Sequence, residues 1–414
     1  MCFEELDLEF ERAGQSALLL GDNGDGKSTV LRCLAMGLCD KSSAGGLLGE
    51  LAGPLLHRRI DGSSAAFGSI EVELERNDGI TYRISTEIRD RQSFEEVSQK
   101  LHKFKDGKPQ KGFKQQEFPW DEIFVVGYGA GARMPGTTNY EDYIPTDAVY
   151  TLFNYGFPLQ NPDFILLWLI NEARERADAP VAKEENDRSM RASIQGLMAG
   201  LLPDQHSLED FVITTSGVVV KGWWGSAILR ELSDGYQATI TLVLDMISWW
   251  FKWVGPEGSD AWTPESINGI VILDEIEQHL HPRWQRRILP SLIDKFPNIQ
   301  FIVSTHSPLV ASSCKNVQVH QFKQGRPERG RPYGWLPEDV YDMMGVHDTR
   351  PDPLQKVLAE YERLDLKRLK GTTTQDDEAK LRELAKELAA MPDGDPIRVS
   401  LRLANISKSR EENK

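Results

Sequence analysis

The run LLLGDNGDGKSTVLRCL, Leu18 to Leu34, contains the spacing Gly21-x-x-x-x-Gly26-Lys27-Ser28. Its loop is Gly21, Asp22, Asn23, Gly24, Asp25, Gly26, Lys27, Ser28 and Thr29. Glycines at these intervals let successive backbone N–H groups turn inward, and the helix that follows adds its positive end. Such a cradle holds the β- and γ-phosphates of a nucleoside triphosphate. Lys27 supplies a charge for the phosphate oxygens, and the Ser28 hydroxyl is a ligand for Mg²⁺.

Three further stretches carry groups that fit the same reaction. GIVILDEIEQHLHP ends an apolar strand, Gly269 to Leu273, in Asp274 and Glu275. The first carboxylate can hold Mg²⁺ and the second can polarise the attacking water. NIQFIVSTHSPLV places His306 just past another buried strand, where an imidazole can donate to a γ-phosphate or orient the water. ELSDGYQATITLVL sets Ser233, Asp234 and Gly235 at the start of an apolar helix, a second anion site. Taken singly, these are a helix cap, a surface histidine and an ordinary N-cap; the P-loop upstream weights them toward chemistry. One nucleotide needs only one cradle, so the second points to ATP gripped by two chains.

The elements that must position these groups follow from periodicity. Ser16 to Leu20 reads as a buried strand, and Val30, Leu31, Leu34 and Leu38 give the next helix an apolar face. SIEVELER and ITYRIST alternate around NDG, a hairpin signal. From Arg89 to about Phe118 the chain is lysine-rich and broken by Gly and Pro, which predicts an exposed loop. EIFVVGYGAG predicts a buried strand and a glycine-rich turn. Helical patterning fills Thr146 to Ser207, and FVITTSGVVVKGWW returns to strands. Leu354, Val357, Leu358, Tyr361 and Leu364 share one helix face, as do Leu381, Leu384 and Leu388. The tail ISKSREENK is expected to fray.

Composition narrows the class. The chain has 414 residues, 40% hydrophobic and 27% charged, enough for two or three globular units. No run approaches the roughly 18 apolar residues of a membrane helix, and the acidic N-terminus does not resemble a secretion signal. Cys2, Cys33, Cys39 and Cys314 are widely spaced, arguing against a disulfide framework or a zinc site and for a cytoplasmic protein. A formal charge of −15 confines any nucleic-acid contact to a local patch. Lys100, Lys103, Lys105, Lys108, Lys111 and Lys114, with Phe104 and Phe113 interleaved, are the one candidate for DNA, weighed against a merely solvated loop. His279 and His281 near Glu277 suggest a metal, but a structural or dimer-facing role is the preferred reading. Trp223, Trp224, Trp249 and Trp250 could stack bases; their apolar surroundings favour core packing.

The order of these motifs resembles the ATP-binding-cassette (ABC) class: Walker A at Gly21 to Ser28, a signature at Leu232 to Gly235, Walker B at Ile270 to Glu275 and a switch histidine at His306. The strings LHP and THSP look more like the soluble branch of RecF, SMC proteins and overcoming-lysogenisation-defect nucleases than like transporters. The segment LPEDVYDMMGVHDTRPDPLQKVLAEYERL is similar to the ends of PtuA-type ATPases of Septu and retron antiphage systems.

That resemblance implies an α/β P-loop NTPase head of ABC type, with a mixed sheet, an antiparallel β-subdomain, a helical insert and C-terminal helices. The expected divisions are 1–145 with the P-loop and β-meander, 146–207 as the insert, 208–335 with signature, Walker B and switch histidine, and 336–414 as helices. ATP and Mg²⁺ are the implied cofactors. Phosphate contacts fall to Gly21 through Thr29 and to Ser233, Asp234 and Gly235; Mg²⁺ falls to Ser28 and Asp274; catalysis falls to Lys27, Glu275 and His306.

The sequence departs from the pattern in several places. The signature reads LSDG rather than LSGG, and no Q-loop glutamine follows FVVGYGAG. A strand-forming segment usual ahead of CFEELDLEF is missing, which implies a displaced start codon or reduced adenine contacts. No Toprim-like acidic segment follows His306, and the insert is too short for an SMC arm, so nuclease activity is expected in another subunit. The expected assembly is a homodimer or higher even oligomer with a nuclease effector of HNH type, and with DNA reached through that partner or the Lys100–Lys114 loop. A RecF-like DNA-repair clamp is the alternative; no membrane partner is expected.

Overall fold

In the computed structural model, residues 5–49, 65–388 and scattered positions to 399 are described, apart from 77, 91–94, 111–122, 132, 178, 203–206, 215–216, 256–261, 324 and 347–349. The chain forms two compact units, Met1–Val340 and Tyr341–Lys414.

The first unit is built on a six-stranded sheet in the order Arg326–Gly330, Gln318–Lys323, Ala17–Leu20, Ile299–Thr305, Gly269–Leu273, Val125–Tyr128. All neighbours run parallel except the antiparallel edge pair Gln318–Lys323 and Arg326–Gly330. Strands buried on both faces read as continuous apolar runs, which is why ALLL and GIVIL carry no alternation. Their register aligns Leu20 with Thr305, and Leu273 with both Val303 and Tyr128. The residues just past these strands, Gly21, Asp274, His306 and Gly129, therefore leave one edge of the sheet together.

Helix Lys27–Leu38 covers one face, burying Val30, Leu31, Ala35 and Met36 against Leu19, Ile272 and Ile302. Over that helix lies the antiparallel sheet of Phe67–Glu75, Ile80–Asp90, Glu95–Lys105 and Lys108–Pro109. Gly37 marks the closest approach: a Cβ there would lie 2.7 Å from Val72 Cγ2 and 2.9 Å from Ile70 Cγ2.

The expected loop after Arg89 is in part a strand. Glu95–Lys105 pairs with Ile80–Asp90 along its whole length, and the high lysine count hid a period of two. Val97, Gln99, Leu101 and Lys103 share the more sheltered face, where Gln99 Nε2 donates to Cys39 O at 2.8 Å and Lys103 Nζ sits 5.2 Å over the Tyr82 ring. Lys100 is on the opposite face from Lys103 and Lys105, so these lysines do not make one basic surface. Lys111, Phe113 and Lys114 lie outside the described residues, as do Cys2 and the tail.

Helices Pro162–Glu175 and Pro180–Leu201 pack together and on a three-stranded sheet, Phe211–Thr214, Gly217–Gly222 and Gly225–Ile228. The long helix Asp234–Val254 is buried nearly all round and contains Trp249 and Trp250 in its core-facing surface, as their surroundings predicted. Trp223 and Trp224 correct the same expectation. They occupy the turn between Gly222 and Gly225, and Trp223 is 92% exposed. Trp224, 37% exposed, lies edge-on to Tyr236 at 5.8 Å, while Trp223 points from the turn into solvent, where local apolarity could not bury it. Cys33, Cys39 and Cys314 are free thiols, and no helix among the described residues is long and apolar enough to cross a membrane.

The second unit contains helices Asp352–Leu369 and Gln375–Leu388. Leu358 meets Leu388, and Leu364 meets Leu381 and Leu384, across a seam that Val357 and Tyr361 complete.

Candidate functional site

The P-loop leaves the buried strand Ala17–Leu20 and enters helix Lys27–Leu38. Gly24 and Gly26 have φ of 90° and 91°, left-handed values that glycine adopts without steric cost. Asp25 ties the loop to itself, its Oδ2 accepting the Asp22 N–H at 2.8 Å. A side chain at Gly21 would run into that carboxylate and the Phe322 carbonyl, each 2.9 Å from the added Cβ. Lys27 is buried, and Nζ donates to the carbonyls of Gly21 at 2.7 Å and Asp22 at 2.8 Å. Burial lowers its proton affinity, while Asp25, Asp274, Glu277 and Glu275 pull the other way.

Asp274 faces this loop from the end of Gly269–Leu273 and is 1% exposed. The Ser304 hydroxyl donates to its Oδ1, and the Tyr155 hydroxyl donates to its Oδ2 at 2.8 Å. Ser28 lies beside the same phenol, whose pKa burial pushes up to about 12. Hydroxyl and carboxylate oxygens thus meet around one point between the P-loop helix and the Walker B strand. This hard-oxygen donor set suits Mg²⁺, with Ser28 and Asp274 as the residues able to hold it.

Glu275 sits at φ 50°, an uncommon conformation for glutamate. Two contacts hold it there. Its N–H donates to Ser304 Oγ at 2.8 Å. The buried Arg133 guanidinium donates to the carbonyls of Asp274, Glu275 at 2.9 Å and Ile276 at 3.5 Å. Burial and then the Asp274 charge raise the Glu275 pKa, opposed by His306 and Lys27. Glu277, 5% exposed, accepts the His306 N–H at 2.7 Å and lies 3.0 Å from His306 Nδ1, leaving the imidazole half exposed at the mouth.

Lys27, Ser28, Asp274, Glu275 and His306 are therefore gathered at one sheet edge. Ser233 caps helix Asp234–Val254 elsewhere, exposed and without a side-chain cap bond. Gly235 permits that helix to press on the turn at His279, whose carbonyl would be 2.9 Å from a Cβ. His281 caps the next short helix, its Nδ1 accepting the Arg283 N–H at 3.3 Å. Sequence reasoning did not find Arg133, Tyr155 or Ser304. Ser304 lies inside VSTHSP and was within reach; nothing near Arg133 or Tyr155 signals a partner more than a hundred residues away.

Comparison with known proteins adds to this geometry. A family model described as "AAA domain" matches residues 1–123, and one described as "AAA domain, putative AbiEii toxin, Type IV TA system" matches 229–312. The Septu protein PtuA of Bacillus mycoides (strain KBAB4) is 28% identical over 349 residues, 81% of this chain and 41% of that relative. Retron Ec83 probable ATPase of Escherichia coli is 33% identical over 34% of this chain and 26% of its own length; Retron Vc95 probable ATPase of Vibrio cholerae is 37% identical over 31% and 25%. The chain thus spans less than half the length of these curated relatives. Among solved structures, the SMC head domain from Thermotoga maritima aligns over 77% of this chain and 90% of its own, with 13% identity and a TM-score of 0.40. A dimeric bacterial ABC transporter cassette covers 81% and 92%, with 11% identity and a TM-score of 0.34. At the sequence level the likeness is to ABC-like ATPases of the PtuA type.

Proposed function

We propose that this chain, similar to PtuA-type ATPases, binds and hydrolyses ATP with Mg²⁺ and uses the cycle to control an effector in antiphage defence. The observation that carries the reading is the convergence of the Gly21–Ser28 loop, Asp274, Glu275 and His306 on one edge of a parallel sheet. Open α/β sheets bind ligands at that edge because the loops and helix starts gather there.

Each side chain has a part that follows from its surroundings. Lys27 exchanges the two neutral carbonyls it now holds for phosphate oxygens, a stronger, charge-assisted pairing. Ser28 and Asp274 would hold Mg²⁺, which would neutralise charge developing on the phosphates. Ser304 fixes Asp274 through one oxygen and the Glu275 backbone through another bond, so the two carboxyl groups keep a set relation. Glu275, with its raised proton affinity, accepts the proton of the attacking water. His306, steadied by Glu277, orients that water or the γ-phosphate.

Ser233, Asp234 and Gly235 complete a second chain's pocket in an isologous dimer that closes on two ATP molecules. Closure then licenses a partner nuclease, of HNH type in the simplest case, that reaches DNA. The test combines three variants with light scattering and phosphate release. Lys27→Ala is expected to weaken nucleotide binding at least tenfold. Glu275→Gln is expected to bind ATP, turn over slowly and accumulate as dimer, whereas Ser233→Arg stays monomeric in Mg·ATP. Unchanged turnover in the first two variants would remove the catalytic assignment, and ATP-independent mass in all three would remove the dimer.

A further inference from the structure

The turn at which the strand Val125–Tyr128 opens onto the phosphate edge is Gly129, Ala130, Gly131, with no glutamine of its own; the Gly131 N–H donates to Gln278 Oε1 at 2.5 Å. Those glycines make room for another residue. A Cβ on Gly129 would lie 2.6 Å from Tyr155 Cδ1 and 2.1 Å from the Thr151 carbonyl, and one on Gly131 would lie 2.7 Å from the Tyr155 carbonyl. The P-loop helix clamps the same segment from the other side. Arg32 Nε donates to Leu152 O at 2.7 Å, and its guanidinium covers the Tyr155 ring at 4.8 Å. So seated, the Tyr155 hydroxyl reaches Asp274 Oδ2 at 2.8 Å, beside Ser28.

Five residues on, the same segment ends in a second buried site. Gln160 is 2% exposed, and its backbone N–H and Nε2 both donate to Asp245 Oδ1, at 3.2 and 2.9 Å. Nε2 also reaches Ser248 Oγ at 3.0 Å, and Oε1 accepts from Lys252 Nζ at 2.7 Å. Asp245, Ser248 and Lys252 all belong to helix Asp234–Val254, whose first residue follows Ser233. Tyr128, directly before the glycine turn, donates to the other Asp245 oxygen at 2.9 Å. One short stretch thus has a hydroxyl on the metal-holding carboxylate and an amide on the signature helix.

Resting on the ATPase reading above, we propose that Tyr155 is the positioning residue that couples the Ser28–Asp274 metal site to the signature helix, through Gln160. A change in what Asp274 Oδ2 binds shifts the hydroxyl, and the segment, tied by the Phe157 N–H to Asn154 O at 3.1 Å and by Leu159 to Met134 and Gly136, carries the shift to Gln160.

The test is hydrogen exchange on the full chain, alone, with a non-hydrolysable ATP analogue plus EDTA, and with the analogue plus Mg²⁺, in wild type and Tyr155→Phe. Exchange is read in peptides covering 156–161 and 245–252, the latter about 18 Å along the helix from Ser233 and so remote from a dimer contact there. Mn²⁺ and analogue affinities are measured in parallel by titration. In wild type, Mg²⁺ is expected to change exchange in both peptides by about fivefold or more, a typical coupling. In Tyr155→Phe the analogue still binds and the Mg²⁺-dependent increment falls below about twofold. An increment retained in Tyr155→Phe, or none in wild type with analogue bound, overturns the coupling. Failure of wild type to bind the analogue at all would instead overturn the ATPase reading.

Discussion

Arg133 offers the sharpest test of how the Walker B turn is held. Its guanidinium is 3% exposed and donates to three successive carbonyls, those of Asp274, Glu275 and Ile276. It is also, with Lys27, one of two buried cations facing Asp274, Glu277 and Glu275 among the described residues. Arg133→Met removes the donors and the charge together while keeping much of the volume. Breaking a buried, hydrogen-bonded ionic group in this way costs about 3–5 kcal/mol. Unfolding entropy is about 2.1 cal/mol/K per residue, so a unit of about 340 residues has about 0.7 kcal/mol/K. The melting temperature should therefore fall by about 4–7 °C in a calorimetric scan. Arg133→Lys keeps the charge but not the fork, and should recover about half of the loss. ATP turnover should fall in both variants, since Glu275 is left in a left-handed conformation without its support. A methionine variant melting within about 1 °C of wild type would show that the carbonyls and carboxylates do not depend on this residue.

Other expectations are simpler to state. Because burial raises the Glu275 pKa, its carboxyl is protonated, and inactive as a base, up to a higher pH than an ordinary glutamate. Turnover should rise with pH through that elevated value, and Glu275→Gln should lower kcat about 10²–10⁴-fold and flatten this limb of the profile. Gly37→Val should lower stability by about 1–3 kcal/mol, measured by urea unfolding, because Val72 and Ile70 occupy the space. Trp223→Ser should leave stability within about 0.5 kcal/mol of wild type in the same assay, as the ring is almost wholly in solvent.

The parts of this protein legible in its sequence are those built from near neighbours. Strand, glycine loop and helix at Ala17–Leu38 follow from an apolar run, glycines at fixed offsets and a helical period, all within a few turns of chain. The ends of Gly269–Leu273 and Ile299–Thr305 were marked in the same way, and with them Asp274 and His306. Charge count misled at Glu95–Lys105, where backbone pairing to Ile80–Asp90 outweighed the lysines, and local apolarity misled at Trp223, where a turn outweighed apolar neighbours.

Tertiary structure alone decided what surrounds the marked residues. Tyr155 meets Asp274 across 119 residues and Arg133 meets Glu275 across 142. Neither has a period or a spacing that announces it. Such contacts arise because parallel strands must be joined by long crossovers, which bring the loops at one sheet edge together whatever their distance along the chain. The local pattern could specify a phosphate cradle; only the packing of that edge specifies the tyrosine that holds the Asp274 carboxylate and the arginine that holds the backbone carbonyls beside it.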